Sequence, residues 1–138
     1  GIREEWVAKL ADTQGFDTAL LKRLKEIGIR STRGLLEEGG TGAGILSISL
    51  RSGVQRERIE SLVTHVDLMR IRGVGRDYAE LLEAAGVYSV WELSAQDPLA
   101  LSDALLEANL LGKVVEVVPS EDRVAGWVRQ AQSLQIGH

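Results

Sequence analysis

Two glycines one residue apart, Gly73 and Gly75, lie between Arg72 and Arg76 in the stretch Leu68-Met69-Arg70-Ile71-Arg72-Gly73-Val74-Gly75-Arg76-Asp77-Tyr78-Ala79. Glycines let a short turn adopt tight dihedrals and let an anionic group approach the backbone. A helix opening after Gly75 would present amides with no intrahelical partner at the positive end of its dipole. Phosphate is the ligand such a turn would suit. Charge does not choose for or against it. Across residues 68–86, Arg70, Arg72 and Arg76 are balanced by Asp77, Glu80 and Glu83. Two readings stand side by side: a turn that only joins helices, with Val74 plugging a core, or one that also touches phosphate.

A second cluster of cations, Lys22, Arg23, Lys25, Arg30 and Arg33, contains a single acid, Glu26. It reads either as a solvated helix face or as a phosphate-steering patch. His65 stands among Val63 and Val66 with no second His or Cys nearby, which is no metal-ligand spacing. Trp91 and Trp127 sit on apolar stripes and are expected in the core. The run Gly39-Gly40-Thr41-Gly42-Ala43-Gly44 lacks the Lys-Ser/Thr of a phosphate loop and is expected to be a flexible connector. No nucleophile–base–acid set, paired carboxylates or cofactor fingerprint emerges. The chain is therefore expected to be no enzyme and to need no cofactor.

The elements that must carry these residues read as helices. Leu20, Leu21, Leu24 and Ile27 recur at helical spacing before Gly28, and Tyr78, Leu81, Leu82 and Ala85 do the same before Gly86. A shift of 58 residues overlays Gly15 on Gly73, Leu24 on Leu82, Gly28 on Gly86, Ile29 on Val87, Ser31 on Ser89 and Leu35 on Leu93, which points to an internal repeat. In the first copy Asp17 replaces the second glycine, as an expected N-cap. Ile59, Leu62, Val63 and Val66 mark a further helix. Ser89 with Glu92 forms a capping box, Asp97-Pro98 opens a helix to about Leu111, and Ser120 caps the last, on Val124, Trp127, Val128, Ala131 and Leu134. Val114 to Val118, β-branched and followed by Pro119, predicts an extended link.

Of the 138 residues, 44% are hydrophobic and 26% charged, an ordinary globular balance, and only two are Pro. With no Cys, disulfides and thiolate metal sites are excluded, and a cytoplasmic location is favoured. No apolar run approaches a membrane span, so no membrane partner is expected. The net charge of −4 is uneven. Residues 1–72 hold 12 basic against 10 acidic groups, and residues 73–138 hold 4 against 10. A polyanion would favour the first part.

The segment from Leu68 to Ala79 resembles the helix–hairpin–helix nucleic-acid-binding motif. More widely, the span from about Ile27 to Leu134 is similar to the domain-of-unknown-function 4332 family of bacterial helix–hairpin–helix proteins. The block Asp67 to Gly75, then Tyr78-Ala79, Leu81 to Val87, Pro119-Ser120 and Trp127 carry that likeness. The departure is at Gly112 to Val118, where basic residues are expected and Glu116 stands. The resemblance implies an all-α fold of tandem helix–hairpin–helix units, a SAM-like helical bundle. It implies phosphate donors among the amides of Gly73, Gly75, Asp77 and Tyr78, and a monovalent cation at the carbonyls of Met69, Ile71 and Val74. Residues 1–44 are assigned to the first unit with its glycine-rich connector and residues 45–138 to the second, with one shared core open as an alternative. The expected function is sequence-independent binding of DNA or RNA backbone by Arg70, Arg72, Gly73, Val74, Gly75, Arg76, Asp77 and Tyr78. The alternative is an adaptor whose partner is another protein, with no nucleic-acid contact.

Overall fold

The computed structural model describes residues 18–136, and these form eight helices joined by short turns, with no β-sheet among the described residues. They are α1 (Thr18–Glu26), α2 (Thr32–Glu38), α3 (Gly42–Ser52), α4 (Arg56–Leu68), α5 (Arg76–Ala84), α6 (Val90–Ser94), α7 (Pro98–Gly112) and α8 (Glu121–Ile136). The chain divides into two compact units, one up to Val66 and one from Asp67 onward. The segment from Ile45 to Val66, assigned above to the second unit, thus belongs with the first. Each unit has its own cluster of buried side chains.

Local signals set most helix ends. Asp97 accepts the Ala100 amide at 3.0 Å, with Pro98 as the first helical residue of α7. Ser120 accepts the Arg123 amide at 3.2 Å at the start of α8. Ser89 accepts the Glu92 amide at 3.0 Å, and Glu92 reaches back one residue further than a standard capping box, to the amide of Tyr88 at 2.9 Å. After α7 the chain leaves the helix through Lys113 in the left-handed region (φ +47°) and runs as an irregular link that bends at Glu116 and Val117, where an extended one was expected. Asn109 holds it there by donating to the Val115 carbonyl and accepting its amide, both at 2.9 Å.

The glycine-rich run is a correction. Thr41 caps α3 by accepting the Gly44 amide at 3.0 Å, so Gly42 to Gly44 are helical. A Cβ on Gly44 would collide with the Glu38 carbonyl, and one on Gly39 would sit 2.9 Å from the Leu35 carbonyl and from Val63. These glycines allow close packing between α2, α3 and α4 rather than slack. Trp91 is a second correction. On the five-residue α6, Val90 and Leu93 share the buried face, and Trp91 between them is 69% exposed.

The 58-residue repeat reappears as local geometry within each unit. Helix α1 maps onto α5 residue for residue. Leu24 and Leu82 are fully buried, as are Leu35 and Leu93. Ile29 donates to the Leu24 carbonyl and Val87 to that of Leu82, each at 2.9 Å. Ser31 and Ser89 cap the helices that follow, each accepting an amide at 3.0 Å. Gly15 and Asp17 of the first copy lie outside the described residues. Leu82→Ala should destabilise the second unit by about 2–5 kcal/mol, the range for a large-to-small change at a site that cannot collapse. The check is its denaturation midpoint, which an exposed Leu82 would leave unmoved.

Candidate functional site

The turn between α4 and α5 is built on three buried side chains at every third position, Leu68, Ile71 and Val74. Short backbone bonds of 3.1 Å, from Arg70 to Asp67, Ile71 to Leu68 and Val74 to Ile71, wind it tightly. Gly73 closes the turn at φ +89°, a region costly for any residue with a Cβ, and a Cβ there would also come within 3.3 Å of the Trp127 indole nitrogen. Gly73 is therefore required by the fold. Gly75 is not. Its φ is −91°, and a Cβ on it would meet nothing within 4 Å.

Gly75 is the N-cap of α5 and supplies no side-chain cap. The first intrahelical bond runs from Ala79 to the Gly75 carbonyl at 2.9 Å, so the amides of Arg76, Asp77 and Tyr78 precede it. The open space where a Gly75 side chain would lie leaves the start of α5 uncovered and without a side-chain cap, and helix starts of this kind can accept an anionic oxygen.

The arginines around it divide by role. Arg70 is mostly buried and pairs with Asp67 at 2.9 Å, while the other carboxylate oxygen of Asp67 accepts the Val90 amide at 2.8 Å. Arg70 thus ties the turn to the start of α6. Arg72 and Arg76 are exposed. The backbone of Arg72 is bracketed by Gln130, which accepts its amide at 2.9 Å and donates to its carbonyl at 3.3 Å. The Gln130 side chain thereby fixes the turn against α8.

Helix α8 brings one further cation. The Arg123 guanidinium lies 5.4 Å from the centre of the Tyr78 ring and donates to its hydroxyl at 3.4 Å, while that hydroxyl donates to the Val117 carbonyl at 3.4 Å. The same ring packs against Trp127, with centres 5.3 Å apart. Arg123 and Gln130 are 45 and 58 residues from their partners, and no spacing rule reaches that far. Asp77 and Glu80, both exposed, stand on α5 beside these arginines. Of the carbonyls implied for a monovalent cation, that of Ile71 already accepts the Val74 amide at 3.1 Å and retains one lone pair. Those of Met69 and Val74 lie on the same turn.

The earlier basic cluster is partly committed. Arg23 donates to the Ser52 carbonyl at 3.2 Å, at the C-terminal end of α3, and Arg33 pairs with Glu37 at 2.9 Å. Lys22, Lys25 and Arg30 are exposed. The first unit also holds a second turn of the same kind, between α3 and α4. There Gly53-Val54-Gln55-Arg56-Glu57 repeats the order of Gly73-Val74-Gly75-Arg76-Asp77, with φ +75° at Gly53, a buried Val54, and Gln55 in place of the open glycine. That likeness was legible 20 residues upstream and is the signal that the 58-residue repeat obscures.

Among the described residues no His, Asp or Glu cluster gathers in a metal-binding arrangement, and no helix is long and apolar enough to cross a membrane. No curated protein and no solved structure matches the chain. The family model described as Domain of unknown function (DUF4332) matches residues 14–134. That match covers most of the chain, which therefore belongs to the DUF4332 family.

Proposed function

We propose that this chain is a non-enzymatic helix–hairpin–helix module whose α4–α5 turn binds nucleic-acid backbone without reading sequence. The observation that carries the reading is Gly75, a glycine that neither dihedral nor packing demands, placed where a phosphate would need room. The amides at the start of α5 would hold the phosphate, and Arg72, Arg76 and Arg123 would add charge around it. Binding would be weak, because few contacts are offered and the second unit is acidic overall. From Asp67 onward it holds 6 basic against 11 acidic residues. A cysteine-free chain acting on DNA or RNA fits a cytoplasmic setting.

Gly75→Val tests this directly. Because the backbone there suits any residue and the space is open, the thermal midpoint should move by no more than corresponds to about 1 kcal/mol. Affinity for a short DNA duplex at low salt should fall by about tenfold, as the new side chain occupies the phosphate approach. Unchanged binding by a folded Gly75→Val protein would refute the role given to this turn. A second reading, a protein-interaction adaptor, is favoured by that same acidity and by leucines left exposed on α7.

A further inference from the structure

Helix α7 is apolar on both faces, yet only one is covered. Leu101 and Leu105 are buried in the second unit's core, where α7 packs on α5 and α8. On the opposite side Leu99 is 60%, Leu106 49%, Leu110 73% and Leu111 85% exposed. A surface helix of a self-contained domain normally turns a polar face to water. Here Leu99, Asp103, Leu106 and Leu110 follow one another at steps of four, three and four residues, the spacing of a seam that receives a second helix.

The charges say which helix. Asp103 stands within the seam and Glu107 beside it, both exposed, and α7 contains no Lys or Arg. A second copy fits poorly. Pairing two α7 helices in parallel sets Asp103 on Asp103, and antiparallel pairing of Leu99 with Leu110 sets Asp103 on Leu106. Either buries a carboxylate without a counter-charge, which is strongly unfavourable. An anionic lipid surface would be repelled by the same carboxylates.

We infer that the outer face of α7 is a docking seam for a basic amphipathic helix of a partner protein. The partner presents apolar residues at alternating three- and four-residue spacing and a Lys or Arg opposite Asp103 and Glu107. The inference deepens the adaptor reading and does not depend on the α4–α5 turn, so loss of phosphate binding and loss of this seam are separately observable.

The test uses the full chain and two designed helical peptides of roughly four turns. Both carry leucines at the seam spacing, one with flanking lysines and the other with glutamates in their place. Isothermal titration should show the lysine peptide binding at least about tenfold more tightly than its acidic twin. Leu106→Lys with Leu110→Lys should remove that binding while leaving the circular dichroism unchanged, since both side chains are largely exposed. Asp103→Lys should reverse the preference toward the acidic twin. Equal or absent binding of the two peptides would overturn the inference. So would a dimer of the chain in sedimentation that Leu106→Lys abolishes, which would make a second copy the occupant. Adsorption to anionic vesicles that the same variant removes would likewise assign the face to lipid.

Discussion

Trp127→Ala should destabilise the second unit by about 3–5 kcal/mol, the largest single effect expected in the chain. Trp127 is 2% exposed, and its indole serves two neighbours at once. One edge lies under Gly73, where a Cβ would come within 3.3 Å of the ring nitrogen, and the ring packs tilted against Tyr78. Removing it opens a cavity beneath the α4–α5 turn and frees Tyr78, whose hydroxyl takes the Arg123 contact. Trp127→Phe keeps an aromatic surface and should cost less. The check is chemical denaturation of both variants, and a near-native midpoint for Trp127→Ala would show that the turn is supported elsewhere.

The second large effect is functional. Arg72→Glu combined with Arg76→Glu changes the local charge by four and should lower affinity for nucleic acid by on the order of a hundredfold at low salt. The fold should survive it. Both residues are exposed, and an acidic residue in the first turn of α5 suits the helix dipole. The Gln130 clamp uses only the backbone of residue 72, so it is indifferent to the side chain there. Arg70 belongs outside this pair, because its contact with Asp67 holds the turn to α6 and its replacement would confound binding with stability.

How far the sequence reveals this molecule depends on the range over which each signal acts. Caps operate within one turn, and so Ser89, Asp97 and Ser120 announced their helices and the structure places each hydroxyl or carboxylate on the expected amide. The periodic stripes of Tyr78 to Ala85 and Val124 to Leu134 were equally legible, and they delivered Leu82 and Trp127 to the core. Trp91 failed because a five-residue helix has too few residues to define a stripe. Once Val90 and Leu93 face inward, the residue between them faces out. The glycines of residues 39–44 misled for a related reason. Glycine marks both slack and close approach, and only the nearness of the Glu38 carbonyl to Gly44 distinguishes them.

Site composition was only half legible. The glycines and arginines of the turn are contiguous and could be read together, but which arginine is structural and which exposed follows from Asp67 lying near the start of α6. Arg123 and Gln130 entered the site through the packing of α8, which no local pattern records. The seam on α7 was hidden by its own simplicity. Leucines recur on every side of this helix, and which of them are covered is decided only by packing, which leaves Leu99, Leu106, Leu110 and Leu111 uncovered.

Whether the α4–α5 turn holds phosphate is read most plainly from the salt dependence of binding. Fluorescence anisotropy on short single- and double-stranded DNA and RNA, from low to physiological salt, reads it in one experiment. Binding should be weak and sequence-tolerant, with an affinity that falls steeply as salt rises, because each phosphate contact releases condensed counterions. No binding at low salt by protein confirmed folded would contradict it, as would binding that salt leaves unchanged.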